Sequence, residues 1–181
     1  MTANIQPAIQ TTPPRRIVLT GFMGSGKSTV GPLVAARLGW RFVDVDDVIE
    51  AEAGMTIAKI FARHGEALFR EYEHGAIAWL AAGDGIVLAL GGGAIEHEET
   101  RALLLGDAST LLVHLEVELA TTQARCRGTE GLRPLLADQA SLEVRYQRRL
   151  PLYRMAHLSI PVDALTPDEV AEAVLKAARL R

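Results

Sequence analysis

Residues 21–28, which read GFMGSGKS, combine three glycines with a lysine and a serine at a spacing that suits phosphate binding. Glycines let consecutive backbone N–H groups turn inward, and a helix that begins at the end of the loop adds partial positive charge. The Lys27 side chain can reach terminal phosphates, and the Ser28 hydroxyl can ligate Mg²⁺. The alternative is a glycine-rich turn without a ligand. We favour a loop that holds a polyphosphate, with Gly24, Ser25, Gly26, Lys27, Ser28 and Thr29 as the candidate binding residues.

Two carboxylates, Asp44 and Asp46, follow the second predicted strand. In an extended chain, side chains two residues apart point the same way. Such a pair suits Mg²⁺, directly or through water, and a hydroxyl group whose proton must be accepted. The alternative is a solvated helix N-terminus capped by Asp46 or Asp47. Because these residues end a strand beside the phosphate loop, we favour functional roles for Asp44 and Asp46 and a structural role for Asp47.

Three consecutive glycines, Gly91, Gly92 and Gly93, end the third predicted strand. Such a run costs backbone entropy unless another group must approach the main chain closely. Free N–H groups at this position could bind an oxygen-rich substrate, and the alternative is a mobile turn.

Arginines form two further candidate groups. Arg70 and Glu73 lie three residues apart on a predicted helix, so they can interact on one face, although exposed pairs of this kind contribute little. The second group flanks Pro151, where we expect a helix to break: Arg148, Arg149 and Arg154. This group either offers a planar fork to a carboxylate or is solvated. The pattern alone leaves both groups open.

Hydrophobic periodicity and glycines predict five short strands separated by helices. The strands are expected at residues 17–19, 42–45, 86–90, 111–115 and 158–162. Residues 166–169 read TPDE and predict the N-terminus of a closing helix, with Thr166 as the cap, proline at the first helical position and Glu169 completing a capping box. Strands that alternate with helices imply right-handed crossovers and a parallel sheet. We therefore expect an α/β fold: a three-layer α/β/α arrangement around a five-stranded parallel sheet.

Length and charge limit the class of protein. The chain has 181 residues and a net charge of -3, which fits one globular domain over residues 16–181 and does not favour a nucleic-acid binder. We expect residues 1–15 to form a disordered tail and residues 128–140, which lack a helical or strand period, to form a lid. A single cysteine and the lack of a long apolar run favour a cytoplasmic protein without a membrane segment.

The ordered set of motifs resembles the shikimate kinase family, which are small P-loop kinases with a nucleoside-monophosphate-kinase-like architecture. The motifs are GFMGSGKST at 21–29, DVD at 44–46, IF at 60–61, GE at 65–66, FR at 69–70, LGGGA at 90–94, LRPLL at 132–136 and, after Arg149, PLYR at 151–154. The resemblance implies transfer of phosphate from ATP, with Mg²⁺, to the 3-hydroxyl group of shikimate, a step towards chorismate and the aromatic amino acids.

The resemblance also implies roles for individual residues. Lys27 and Ser28 would handle phosphate and Mg²⁺, with Asp44 near the metal, and Asp46 would orient the acceptor hydroxyl and take its proton. Arg133 would be the lid arginine that closes onto the nucleotide. The shikimate pocket would be lined by Asp46, Arg70, Gly91, Gly92, Gly93 and Arg149, with Phe61 and Phe69 as apolar walls. The family would further lead us to expect the strand order 2-3-1-4-5. We also expect a monomer.

One position departs from the family pattern. Family members place an arginine that contacts adenine seven residues before the lid arginine, and this chain has Cys126 there, between Arg125 and Arg127. Which of the three contacts adenine is left open.

Two other functions compete with this interpretation. A related kinase of the same architecture, such as gluconate kinase, would use the same loop, but the aspartate, triple-glycine and arginine set favours a cyclic carboxylated polyol. A GTPase-like switch would carry an Asn-Lys-x-Asp signature, and the only asparagine of the chain is Asn4.

Overall fold

The computed structural model describes residues 13–126 and 139–179, without the side chains of residues 139 and 140. Five strands and seven α-helices occur in these ranges. They are β1 (Arg16–Thr20), α1 (Lys27–Leu38), β2 (Arg41–Asp44), α2 (Val45–Ala53), α3 (Ile57–Ala81), β3 (Ile86–Ala89), α4 (Glu98–Gly106), β4 (Thr110–Glu116), α5 (Leu119–Arg125), α6 (Gln139–Tyr153), β5 (Leu158–Pro161) and α7 (Pro167–Arg179). A short 3-10 helix (Ala94–Glu96) precedes α4.

The strands form one parallel sheet in the order β2-β3-β1-β4-β5, which confirms the α/β fold class and the expected strand order. Leu19 of β1 and Asp44 of β2 both pair with Ala89 of β3, so these three strands end at the same level. Ligands of open parallel sheets bind outside the carboxyl ends of the strands. The phosphate loop, Asp44 and the triple-glycine loop (residues 91–93) therefore leave the sheet at one common edge.

Apolar side chains bury the central strands, and helices flank the sheet. Every residue of β1 and β3 is buried, as expected for strands covered on both faces. Burial of apolar surface stabilises the folded state by roughly 25 cal/mol for each Å². This core therefore fixes the positions of the strand ends that carry the polar residues. The candidate site thus lies at the ends of strands that are fully buried.

Two predictions about helix ends have different outcomes. The Thr166 cap is confirmed, since the backbone N–H of Glu169 donates to Thr166 Oγ1 at 3.3 Å and the Glu169 carboxylate accepts from the Thr166 N–H at 2.8 Å. The expected helix break at Pro151 is wrong, because α6 continues through Pro151 and ends at Tyr153. Proline removes one backbone donor, and so close to the end of a helix this loss affects a single turn.

Several predictions fall on residues that the structure does not describe. Residues 1–12 of the expected tail, residues 128–138 of the expected lid, Arg127 and Arg133 lie outside the described residues. Residues 139 and 140, at the end of the expected lid, belong to the first turn of α6. Arg15, at the end of the expected tail, donates its backbone N–H to the Ser109 carbonyl at 2.9 Å. Among the helices of the described ranges, none has both the length and the apolar character of a membrane span.

Candidate active site

The phosphate loop connects β1 to α1, which begins at Lys27. Gly26 precedes the helix with a φ of 95°, in the left-handed region that favours glycine. The Lys27 ammonium group donates to the carbonyls of Gly21 at 2.8 Å and Phe22 at 3.2 Å, so it lies across the loop. An ammonium group at a helix N-terminus, beside a glycine-rich loop, can form a site for phosphate oxygens.

Asp44 connects the second strand to the phosphate loop. The Ser28 hydroxyl donates to Asp44 Oδ2 at 2.8 Å, which brings an alcohol and a carboxylate oxygen together at the start of α1. Both are the hard oxygen ligands that Mg²⁺ prefers. Within the described residues, no group of three or more His, Cys, Asp or Glu side chains could hold a metal ion, so a cation here would need further oxygens from water or phosphate.

The two aspartates do not lie on one extended strand, and this part of the prediction is wrong. The strand ends at Asp44, which caps α2 by accepting the backbone N–H of Asp46 at 3.2 Å. A carboxylate at this position satisfies an amide that the first helical turn leaves unpaired, and here the strand gives way to a helix at once. Asp44 thus faces Ser28, while Asp46, in the first helical turn, faces the triple-glycine loop.

Asp46 and Glu73 converge on Gly91. A Cβ atom placed on Gly91 would lie 2.7 Å from Asp46 Oδ1 and 2.7 Å from Glu73 Oε1, so any other residue there would displace these carboxylates. Burial, and then the charge of Asp44, raises the pKa of Asp46 to about 6. Burial likewise raises the pKa of Glu73 to about 7, with Asp46 adding to it and Arg70 opposing it. Glu73 Oε1 is buried and has no hydrogen-bond partner among the described residues.

Arg70 approaches the same loop from α3. Its Nη1 donates to Glu73 Oε2 at 2.6 Å and its Nη2 to Glu66 Oε1 at 3.0 Å. The guanidinium carbon lies 5.2 Å from the centre of the Phe69 ring and 5.9 Å from that of Phe61, and the two rings are 4.6 Å apart. A Cβ atom on residue 93 would overlap the Arg70 guanidinium, which explains why glycine occupies this position.

Arg149 and Tyr153 approach the loop from α6. Arg149 is 5% exposed, and its Nη1 lies 3.7 Å from where a Cβ of Gly92 would be. The Tyr153 hydroxyl donates to the Gly92 carbonyl at 2.5 Å. Arg149 also donates through Nε and Nη2 to Glu96 Oε2, at 2.9 and 2.8 Å. The triple-glycine loop is therefore surrounded by Asp46, Arg70 and Arg149, one beside each glycine.

The sequence analysis did not identify three of the polar groups at this loop. Glu73 was considered only as a partner of Arg70, although the structure also aims one of its oxygens at Gly91. Tyr153 was quoted only within the motif PLYR, and Glu96 was not considered. The signal for Glu73 was its spacing from Arg70, whereas a contact between Glu96 and Arg149, 53 residues apart, has no local signal.

Arg125, one of the three candidates for the adenine contact, donates a hydrogen bond to the phosphate loop. Its Nη1 donates to the Gly24 carbonyl at 3.0 Å and its Nη2 to the Val162 carbonyl at 3.3 Å. Cys126 lies against the same glycine, because a Cβ on Gly24 would be 3.2 Å from Cys126 Sγ.

A parallel sheet of this order, with a glycine-rich lysine loop after β1 and a group of carboxylates and arginines beside it, is the architecture of a P-loop kinase of small molecules. The family model described as "Shikimate kinase" matches residues 23–179. The chain belongs to the shikimate kinase family. It is therefore an enzyme of the shikimate pathway that phosphorylates shikimate, and its family uses ATP.

Individual relatives agree with this assignment. The chain is 46% identical over 170 residues to the shikimate kinase of Streptomyces avermitilis, which covers 92% of this chain and 96% of that protein. The structure of the Acinetobacter baumannii shikimate kinase in complex with shikimate matches with a TM-score of 0.83 and 35% identity, over 93% of this chain and 94% of that one. A gluconokinase from Sinorhizobium meliloti matches with a TM-score of 0.57 at 17% identity, over 92% of this chain and 93% of that one, and so shares the fold alone.

Proposed function

We propose that the cleft at residues 91–93 holds shikimate with its carboxylate on Arg70 and Arg149 and its 3-hydroxyl group beside Asp46, next to ATP on the phosphate loop. One observation carries the proposal: a carboxylate and two arginines each approach one of three consecutive glycines at the end of the strand beside β1. Backbone without side chains lets a small ring lie close to the strand end, within reach of all three groups.

The arginines would set which hydroxyl group faces ATP. Guanidinium groups bind carboxylates through two parallel hydrogen bonds, which fixes the orientation of the bound acid. Phe61 and Phe69 lie under Arg70 and would form the apolar wall of the pocket. Holding the acceptor in one orientation lowers the entropic barrier of the reaction, and in kinases such positioning acts together with electrostatic stabilisation of the transferring phosphate.

Asp46 would accept the proton of the hydroxyl group as it attacks the terminal phosphate. A carboxylate with a pKa of about 6 is ionised at pH 7 to 8, yet it is more basic than an ordinary aspartate. Burial thus gives Asp46 the properties of a general base while keeping it in the form that accepts a proton.

The phosphate side would be held by Lys27 and by Arg133, which lies outside the described residues. The Lys27 ammonium now donates to loop carbonyls and would instead donate to the β- and γ-phosphates of ATP. Ser28 and Asp44 would hold Mg²⁺, which supplies positive charge against the phosphates when it is bound. A lid over residues 128–140, carrying Arg133, would keep water away from the transferring phosphate.

We also propose a monomer in the cytoplasm, where ATP is regenerated, with ATP and shikimate as partners and neither nucleic acid nor a membrane. The adenine contact falls to Arg125, Cys126 or Arg127. Sedimentation of the purified protein with and without ATP tests the monomer, since a monomer has the mass of one 19.5 kDa chain.

A coupled ADP-release assay tests the function with shikimate, with gluconate and without an acceptor. We expect shikimate to exceed both by orders of magnitude. Arg70→Ala and Arg149→Ala should each raise the KM for shikimate far more than the KM for ATP. Comparable rates with gluconate, or a rise confined to the KM for ATP, would overturn the proposed acceptor cleft.

A further inference from the structure

Glu96 bridges two arginines of α6. Its Oε2 accepts from Nε and Nη2 of Arg149, and its Oε1 pairs with Arg148 Nε at 2.6 Å. Burial alone would raise the pKa of Glu96, but the hydrogen bonds and charges of Arg149 and then Arg148 outweigh burial and lower it. The carboxylate is therefore ionised at neutral pH. Arg148 is exposed, whereas Arg149 is buried.

We propose that Glu96 is a positioning residue, which turns the Arg149 guanidinium so that the end that Glu96 does not contact faces the carboxylate of the acceptor. The inference rests on the role proposed above for Arg149 and adds a residue that determines how well that arginine works.

The geometry of the guanidinium group supports positioning rather than competition for the acceptor site. The group carries five N–H donors. Glu96 takes the side edge, where one oxygen accepts from both Nε and Nη2 of Arg149. Glu96 leaves one N–H on Nη2 and two on Nη1, and Nη1 lies beside Gly92, where the Tyr153 hydroxyl also interacts with Arg149. These form the end edge of the fork, which can bind a second carboxylate through two hydrogen bonds.

Backbone hydrogen bonds connect Glu96 to the triple-glycine loop. Its side chain orients Arg149, which lies beside that loop. The Glu96 N–H donates to the Gly93 carbonyl at 2.9 Å, and the Glu96 carbonyl accepts from Arg101 Nη1 at 2.8 Å. The Ala94 N–H donates to the Gly91 carbonyl at 3.1 Å, so the 3-10 helix and the triple-glycine loop form one hydrogen-bonded unit. Glu96 can therefore hold Arg149 at a fixed place relative to the loop.

Kinetics of Glu96→Ala and Glu96→Gln test the inference. The loss of one immobilising contact on a long side chain corresponds to roughly a 3- to 10-fold rise in the KM for shikimate. We expect this rise in Glu96→Ala, a smaller rise in Glu96→Gln, whose amide oxygen still accepts, and a kcat and KM for ATP within about 2-fold of wild type in both. Glu98→Gln is the matched control, because Glu98 is an exposed carboxylate two residues away, and it should behave as wild type.

A double-mutant cycle with Arg149→Ala separates positioning from a general structural role. Glu96→Ala should add nothing to the KM of an Arg149→Ala enzyme, because no guanidinium is left to orient. If Arg149→Ala raises the KM for shikimate while Glu96→Ala and Glu96→Gln leave it unchanged or lower it, the inference is overturned and the proposed cleft stands. Independent, additive effects of the two mutations would also overturn it. If Arg149→Ala itself has no effect, the proposed role of Arg149 fails, and the inference fails with it. Urea unfolding of each variant identifies any that fold poorly. If Glu96→Ala does, the KM of Glu96→Gln for shikimate decides whether the inference holds.

Discussion

Asp46→Asn should remove activity and at the same time stabilise the protein. Burial and the nearby Asp44 raise the pKa of Asp46 from an ordinary value of 3.8 to about 6. One pKa unit corresponds to about 1.4 kcal/mol, so the ionised carboxylate costs the folded state on the order of 3 kcal/mol. Asparagine has a similar shape and no charge, and we expect it to recover roughly 1 to 3 kcal/mol of unfolding free energy at pH 8. The loss of a general base should lower kcat by roughly 10²-fold or more.

The sign of the pH dependence follows from the raised pKa. Asp46 is protonated in both the folded and the unfolded state well below pH 3.8, so the substitution gains nothing there through this group. Between pH 3.8 and about 6 the unfolded state releases the proton first, and wild type loses stability as the pH rises. The advantage of Asp46→Asn should therefore grow over this window and level off above it.

Urea unfolding of wild type and Asp46→Asn at several pH values between 4 and 8, without Mg²⁺ or nucleotide, measures this difference. Asp47→Asn is the control: Asp47 is exposed and adjacent on the same helix turn, and its change should be small and should not grow with pH. In wild type, kcat/KM should also fall as the pH drops through about 6. An Asp46→Asn protein that is less stable at pH 8, or a difference in stability that is independent of pH, would refute the assignment of Asp46 as a destabilised, buried base.

Three further substitutions test other parts of the site. Lys27→Ala should keep the fold and lower turnover by at least roughly 10²-fold, because the transferring phosphate loses a positive charge; a near wild-type rate in the ADP-release assay would remove the phosphate-loop role. Tyr153→Phe deletes the hydrogen bond to the Gly92 carbonyl and should raise the KM for shikimate several-fold without changing that for ATP, whereas unchanged kinetics would show that the loop does not need this bond. Gly93→Ala adds a Cβ that overlaps the Arg70 guanidinium, so it should weaken shikimate binding measured by calorimetry, and wild-type affinity would contradict the close contact.

The fold could be predicted because its signals are local and repeated. Each strand of the sheet is a short apolar run, and each run is followed by a glycine, an acid or a helical period, so the α/β class follows from the chain itself. The order β2-β3-β1-β4-β5 came from resemblance, since strand pairing joins segments such as residues 16–19 and 86–89 that carry no mark of their neighbours. Pro151 was misjudged because a proline near a helix end costs too little to stop the helix.

The site could be predicted in part, for the same reason. The phosphate loop is a contiguous motif, and its residues were identified from spacing. The sequence also predicts Asp46 as a site residue, but the predicted geometry is wrong, because nothing in the sequence tells that the strand ends at Asp44 instead of continuing to Asp46. Spacing predicts the pairing of Glu73 with Arg70, but only the folded chain brings Glu73 to Gly91 and Glu96 to Arg149. The raised pKa values of Asp46 and Glu73 come chiefly from burial, which no spacing reveals.

A crystal structure with shikimate and ADP tests the proposed shikimate site most directly. We expect the carboxylate of the ring acid on the guanidinium groups of Arg70 and Arg149, the ring against residues 91–93, and the 3-hydroxyl oxygen within about 3 Å of an Asp46 oxygen, facing the phosphate loop. Shikimate bound elsewhere, or turned so that its carboxylate meets Asp46, would contradict it.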